Sequence, residues 1–133
     1  MKKFEFLSHT ADIKIRVYGK NLKEIINNSL LALKSFWKPK LTKTKIEKEI
    51  KVESNNEVNL LIDFLSEVLA ETYVEKAIFV KFEPQELASY FLSGKIIGYK
   101  FTSLSKDIKA ITYHQAVLNK VNKNYVFEFI IDI

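Results

Sequence analysis

Hydrophobic and polar residues recur with two different periods along the chain, which predicts both strands and helices. Residues 4–7 and 13–18 each form a short apolar run typical of a strand. In the second run, Ile13, Ile15 and Val17 alternate with polar or aromatic neighbours, so one face of this strand should be buried.

The period changes to that of a helix after the second strand. Apolar positions from Leu22 to Phe36 recur every three or four residues, and Pro39 stops the pattern. Asn21 can accept a hydrogen bond at the start of this helix, with Glu24 at the third helical position. We therefore predict a helix that begins after Asn21 and ends before Pro39.

A third strand and a second helix follow. Alternation of charged and apolar residues predicts a strand over 45–53 with one solvated face. Ser54 and Glu57 have the spacing of a capping box, so we predict a long helix from there to about Glu75. This helix is apolar around most of its circumference, which indicates that it is covered on more than one side.

The remaining chain favours strands and fixes the fold class. The order of elements lacks the regular alternation of a doubly wound fold, so we expect an α+β protein with one domain over residues 1–133. The number of strands and the apolar second helix suggest two helices between two mostly antiparallel sheets, a three-layer β-α-β arrangement. The predicted strands are 77–82, 88–92, 95–102, 108–118 and 125–133, separated by Pro84, Ser93-Gly94 and residues 119–124.

Composition excludes several classes of protein. The 133 residues include no Cys, which removes disulfide scaffolds, zinc ribbons, iron–sulfur clusters and thiol nucleophiles. The N-terminal residues have no apolar run of signal-peptide length, and nowhere are there eighteen consecutive apolar residues. We expect a cytoplasmic protein without membrane contact.

The net charge of +5 is concentrated in one segment. Residues 34–51 contain seven Lys and two Glu, so the rest of the chain balances to zero. All basic residues except Arg16 are Lys, which lacks the bidentate geometry of Arg for phosphates and guanines. Two interpretations stay open here, a solvated strand and loop or weak attraction to RNA or another acidic partner.

Acidic groups gather at the predicted ends of two strands. Asp132 ends a strongly apolar last strand, next to the terminal carboxylate of Ile133. Either Lys109 or a divalent cation with oxygen ligands can neutralise these groups, and Asp12 adds a third carboxylate if the two strands end near each other. The alternative is a solvated Asp at a strand end.

Other polar residues have both structural and functional interpretations. The two histidines, His9 and His114, fit a capping or strand role as well as a catalytic one. Asp63 and Glu67 lie on one side of the second helix, where solvent exposure is the default and a contribution to a polar site the alternative. No glycine-rich phosphate loop, nucleophile elbow or His-Glu-x-x-His pair is present in the sequence.

Four motifs, spread over the whole chain, resemble those of the archease family. They are HTADIKI at 9–15, LLIDFLSEVL at 60–69, IKAITYH at 108–114 and FIIDI at 129–133, in the order that the family has them. The pairing of HTAD with the later KA-x-TYH is the specific feature. The resemblance implies the β-α-β layered fold and an accessory protein of the RtcB-type RNA-splicing ligase.

The resemblance also implies a function and its residues. Archeases promote guanylylation and multiple turnover of the ligase that joins tRNA exons, without being ligases, so tRNA would be met only through the ligase. The family metal site, associated with calcium and with magnesium or manganese as alternatives, would fall on Asp12, Asp132 and Ile133. Lys109 would be the functional lysine, and the remaining functional residues would be His9, His114 and Glu67.

Two other functions compete with this interpretation. A general RNA-binding or chaperone-like module would use the lysines of residues 34–51. A metal-dependent phosphoester hydrolase would be centred on His9, His114 and Asp12.

Overall fold

The computed structural model describes residues 2–8 and 12–133, so His9 lies outside the described residues. Within them are two helices and seven strands. In chain order these are β1 (Phe4–Ser8), β2 (Ile13–Gly19), α1 (Leu22–Trp37), β3 (Lys40–Glu53), α2 (Glu57–Glu75), β4 (Ala77–Leu87), β5 (Phe91–Ser103), β6 (Ala110–Val121) and β7 (Asn124–Asp132).

The strands form two antiparallel sheets with both helices between them. One sheet has four strands in the order β1-β2-β7-β6, and the other has three in the order β3-β5-β4. Helix α1 packs on β2 and β4, whereas α2 packs on β6 and on all three strands of the smaller sheet. The predicted α+β class and three-layer arrangement are confirmed.

The core fills the space between the sheets and around the helices. Phe127 and Phe129 from β7 and Phe82 from β4 are almost fully buried. Helix α2 buries Leu60, Leu61, Ile62, Phe64 and Leu65 in succession because both of its flanks meet a sheet. No helix in the described ranges is long and apolar enough to span a membrane.

The first helix begins as predicted and the second does not. The side chain of Asn21 accepts from the backbone N–H of Glu24, and the Glu24 carboxylate accepts from the N–H of Lys20 at 3.0 Å. Helix α2 is capped by Asn56, which accepts from the N–H of Asn59 at 2.8 Å. The capping box predicted at Ser54 is wrong, because the Ser54 hydroxyl donates to Asp63 instead.

The strands of the smaller sheet are longer than predicted. Strand β3 begins at Lys40 rather than at residue 45, and β4 continues through Pro84. A proline fits here because β4 is an edge strand and its register shifts between Pro84 and Glu86. The predicted strand over 88–92 is wrong, since β5 begins only at Phe91 and runs through Gly94.

Strand β6, at the outer edge of the larger sheet, is interrupted. Its pairing with β7 shifts register between Thr112 and Val117, and Gln115 has a left-handed backbone with φ of 56°. Val117 and Val121 beyond the interruption are exposed. The edge therefore consists of two short pieces joined by a β-bulge.

Candidate functional site

The ends of three strands meet at one end of the four-stranded sheet. Ile13 at the start of β2 pairs with Ile131 near the end of β7, and Ala110 at the start of β6 pairs with Asp132. Asp12 precedes Ile13, so it lies beside Asp132, one step beyond the last pair of that ladder. We call this end of the molecule, with Asp12, Lys109, Asp132 and Ile133, the tip.

The main chain of Lys109 is fixed at the tip. Its N–H donates to the carbonyl of Asp132 at 2.7 Å, which continues the ladder by one bond. The Lys109 side chain is exposed and forms no ion pair with any described residue. The strand that ends in Asp132 thus fixes the main chain of a positively charged residue at the tip.

The last strand is buried only as far as Ile131. Asp132 and Ile133 are exposed, and Asp12 is half-buried. The prediction of carboxylates at a buried strand end is therefore corrected, because water already solvates Asp132. Burial alone does not require a cation at the tip.

The oxygen atoms at the tip suit a hard cation better than a soft one. Asp12 and Asp132 offer carboxylates, and Ile133 offers main-chain oxygen, the donors that calcium and magnesium prefer. Among the described residues, no group of three or more His, Asp or Glu side chains has the arrangement of a metal site. Main-chain oxygen and water would have to complete the coordination.

Both helices anchor the loop that carries Lys109. The carbonyl of Trp37, the last residue of α1, accepts from the N–H groups of Ser105 and Lys106 at 3.0 and 3.4 Å. The Tyr73 hydroxyl on α2 accepts from the N–H of Ile108 at 2.8 Å and from the Trp37 indole at 3.1 Å. No local pattern predicts this anchor, although the single Trp, two residues before Pro39, was a signal.

These contacts also show that both helices end near the tip. The C-terminal end of a helix carries a partial negative charge, which favours nearby cations. Helix α1 ends at Trp37 and α2 two residues after Tyr73, both in contact with residues 104–109. The electrostatic environment at this end of the molecule therefore favours positive groups.

A second polar cluster lies on α2, away from the tip. Asp63 is half-buried and accepts hydrogen bonds from the hydroxyls of Ser54 and Tyr113. The bond to Asp63, helped by partial burial, raises the pKa of the Tyr113 phenol. This cluster joins α2 to β6 and to the end of β3.

The structure does not bring Glu67 or His114 to the tip. Glu67 is exposed and lines a cleft with Asp63, Ser66 and the last residues of β3 (51–53). His114 is exposed on β6, four residues after Ala110, in the stretch where the pairing with β7 shifts register. His114 therefore lies on the interrupted part of β6 and not at its first residue, which pairs with Asp132.

The single arginine forms ion pairs within the larger sheet. Arg16 on β2 pairs with Glu128 on β7 at 2.5 Å and with Glu5 on β1 at 3.8 Å. A hydrogen bond from Tyr18, with help from nearby cations, lowers the pKa of Glu5, and the bond to Glu128 raises the pKa of Arg16. Arg16 thus ties three strands together.

Comparison with known proteins gives one family over the whole length. The Archease protein family matches residues 4–133. Protein archease of Saccharolobus islandicus is 35% identical over 139 residues, covering 100% of both chains. Protein archease of Methanosarcina mazei is 32% identical over 141 residues, covering 99% of this chain and 97% of its own.

Solved structures agree with the fold. The solution structure of Methanobacterium thermoautotrophicum protein 1598 has a TM-score of 0.76 at 25% identity, with 100% of both chains covered. The crystal structure of a Thermotoga maritima archease, described as a possible chaperone, has a TM-score of 0.72 at 19% identity, covering 96% of this chain and 94% of its own. The chain therefore belongs to the archease family.

Proposed function

We propose that this protein is a non-enzymatic activator of an RtcB-type RNA-splicing ligase, which promotes guanylylation of the ligase and its multiple turnover. The observation that supports this proposal is the strand register: Asp12 lies one step beyond the pair of Ile13 with Ile131, and Asp132 pairs with Ala110, next to Lys109. The tip would enter the ligase active site, and the ligase would bring the tRNA exons.

The chemistry of phosphoryl transfer makes such assistance effective. Catalysis of this reaction depends on positioning and on neutralising charge rather than on covalent chemistry by the protein. Lys109 would place its ammonium group against a phosphate oxygen or a ligase carboxylate. A small protein can therefore promote the step without a nucleophile of its own.

A divalent cation would be part of this proposal. Asp12, Asp132 and Ile133 would hold it, with calcium as the first choice and magnesium or manganese as alternatives. Such a cation supplies positive charge for the phosphate oxygens. The exposure of Asp132 and Ile133 leaves that side of the site open to a partner.

Neutralising either aspartate should abolish stimulation of the ligase. Asp12→Asn and Asp132→Asn keep the side-chain shape but remove the charge that would hold the cation, so we expect ligation to fall to the rate without activator. The measurement is ligase guanylylation and multiple-turnover ligation with the cognate ligase, with and without a chelator.

Asp107→Asn is the matched control for this experiment. Asp107 is an exposed acid on the same loop as Lys109, so the variant changes the net charge equally. We expect it to stimulate the ligase normally. Full stimulation by both Asp12→Asn and Asp132→Asn would refute the proposed role of the tip.

A further inference from the structure

Five lysines lie on elements that adjoin one another beside the tip, and we call this set the basic ledge. Lys34 and Lys38 lie at the end of α1, Lys40 and Lys43 at the start of β3, and Lys106 on the loop before β6. The Ser105 hydroxyl donates to the Lys38 carbonyl at 3.0 Å, and Lys40 pairs with Ser103. Residues distant in sequence thus contribute to one surface.

The lysines of the basic ledge have no carboxylate partners. None of the five forms an ion pair with a described residue, and the only acid on residues 104–109 is Asp107. Other lysines of the same sheet are paired with glutamates: Lys45, Lys48, Lys81, Lys95 and Lys100. The charge excess of residues 34–51 is therefore uncompensated mainly at the tip end.

An exposed aromatic ring borders the basic ledge. The Lys106 ammonium lies over the Phe36 ring at 5.0 Å from its centroid, and Phe36 meets Phe6 edge-on at 6.2 Å. Phe6 is 41% exposed although it is a large apolar side chain on an edge strand. A partly exposed ring near an unpaired lysine is typical of single-stranded nucleic-acid binding.

We infer that the basic ledge and Phe6 bind a short single-stranded segment of RNA, with phosphates on the lysines and one base against Phe6. The choice of RNA as the natural ligand rests on the proposed function, because the ligase acts on RNA ends. The exposed Phe6 ring favours RNA over an acidic protein, because a base stacks on an aromatic face and a carboxylate does not. The ledge would hold the strand next to the acidic tip.

Removing ledge charges should weaken RNA binding more than removing the same number elsewhere. The test variant carries Lys38→Gln, Lys40→Gln and Lys106→Gln, and the control carries Lys45→Gln, Lys81→Gln and Lys95→Gln from the paired lysines. Fluorescence anisotropy with a labelled, unstructured RNA oligonucleotide measures affinity across salt concentrations. The ledge variant should bind RNA about tenfold more weakly. The slope of log K against log [salt] should become shallower by about 2, because each of the three lost phosphate contacts contributes about 0.7 to that slope.

The aromatic contribution is tested separately. Phe6→Leu keeps an apolar side chain but removes the ring, so we expect about tenfold weaker RNA binding from the loss of one stacked base. The salt slope should stay unchanged in this variant, because no charge is removed. Unfolding curves of every variant show whether the fold is retained.

Three results would overturn the inference. The first is that the unmodified protein does not bind RNA at low salt. The second is that the ledge variant and the control variant lose RNA affinity equally. The third is that polyglutamate displaces RNA while Phe6→Leu has no effect on RNA affinity. The last result would assign the ledge to an acidic protein. The RNA-binding assay contains no ligase, so a failure to bind RNA would not contradict the result of the aspartate variants in the ligase assay. Failure of the ligase assay would likewise leave the RNA-binding result standing.

Discussion

Two tyrosine hydroxyls hold parts of the chain that are far apart in sequence. Tyr73 accepts from donors on α1 and on the loop before β6, and Tyr113 donates from β6 to α2. In both cases the partner is at least 35 residues away, so no local motif predicts the contact. Single-residue changes at these positions should affect stability in distinguishable ways.

Tyr73→Phe should destabilise the protein by about 1–3 kcal/mol, since an unpaired buried donor costs about that much. The variant leaves the indole of Trp37 and the N–H of Ile108 without their acceptor, and these residues are only 1% and 2% exposed. Urea unfolding measures the loss. Tyr90→Phe is the control, because Tyr90 is 60% exposed, and an equal loss in both variants would contradict the anchoring role.

Tyr113→Phe should lose less stability than the unmodified protein as the pH rises above 10. The folded state raises the pKa of Tyr113 above its usual 10.0, so the neutral phenol is favoured by folding. The corresponding stabilisation is complete below pH 10 and is lost as the pH rises through the raised pKa. Urea midpoints from pH 8 to 12 test this, and identical pH profiles for the variant and the unmodified protein would disprove it.

The sequence predicts elements well where a local pattern is enough. Asn21 and Glu24 cap α1 as expected, because both partners lie within four residues. At α2 two candidates, Ser54 and Asn56, stand two residues apart, and the distant carboxylate of Asp63 takes the serine hydroxyl. Local spacing cannot include that competition. It also misplaced the end of β4 at Pro84, because the edge position that admits a proline is set by the order of strands in the sheet.

Gly98→Ala should destabilise the smaller sheet by about 1–3 kcal/mol, the usual cost of overpacking. An added Cβ would lie 2.0 Å from the carbonyl oxygen of Ile78 and 2.7 Å from the Cα of Phe79. These are backbone atoms, so no side-chain rotation relieves the contact. Thermal unfolding should show a lower midpoint for Gly98→Ala than for Ser103→Ala, a control at the exposed end of β5, and equal midpoints would contradict the close approach.

At the scale of the molecule, the tip depends on contacts that span almost the whole chain. Asp12 and Asp132 are 120 positions apart, and only the ladder between β2 and β7 shows that they are neighbours. Their proximity is a condition of the proposed site, and the ladder ends one residue short of this pair. The basic ledge could not be predicted from the sequence, because Lys106 joins it through the end of α1.

Cation binding at the tip should raise the melting temperature by about 10 °C at saturating concentration. A ligand at about a hundred times its Kd stabilises the folded state by about 2.7 kcal/mol. Thermal scans with calcium, magnesium or manganese and with a chelator measure the shift. It should vanish in Asp132→Asn and persist in Asp107→Asn, and a shift of equal size in both would place the cation elsewhere.

The bulge in β6 has a consequence for self-association. An open sheet edge can recruit the same strand from another molecule and grow into a fibre, a risk that increases with exposed valines such as Val117 and Val121. Growth needs a long straight run of free N–H and C=O groups, and the left-handed Gln115 breaks that run in the middle. We expect the protein to resist polymerisation along this edge although no charged residue replaces the exposed valines.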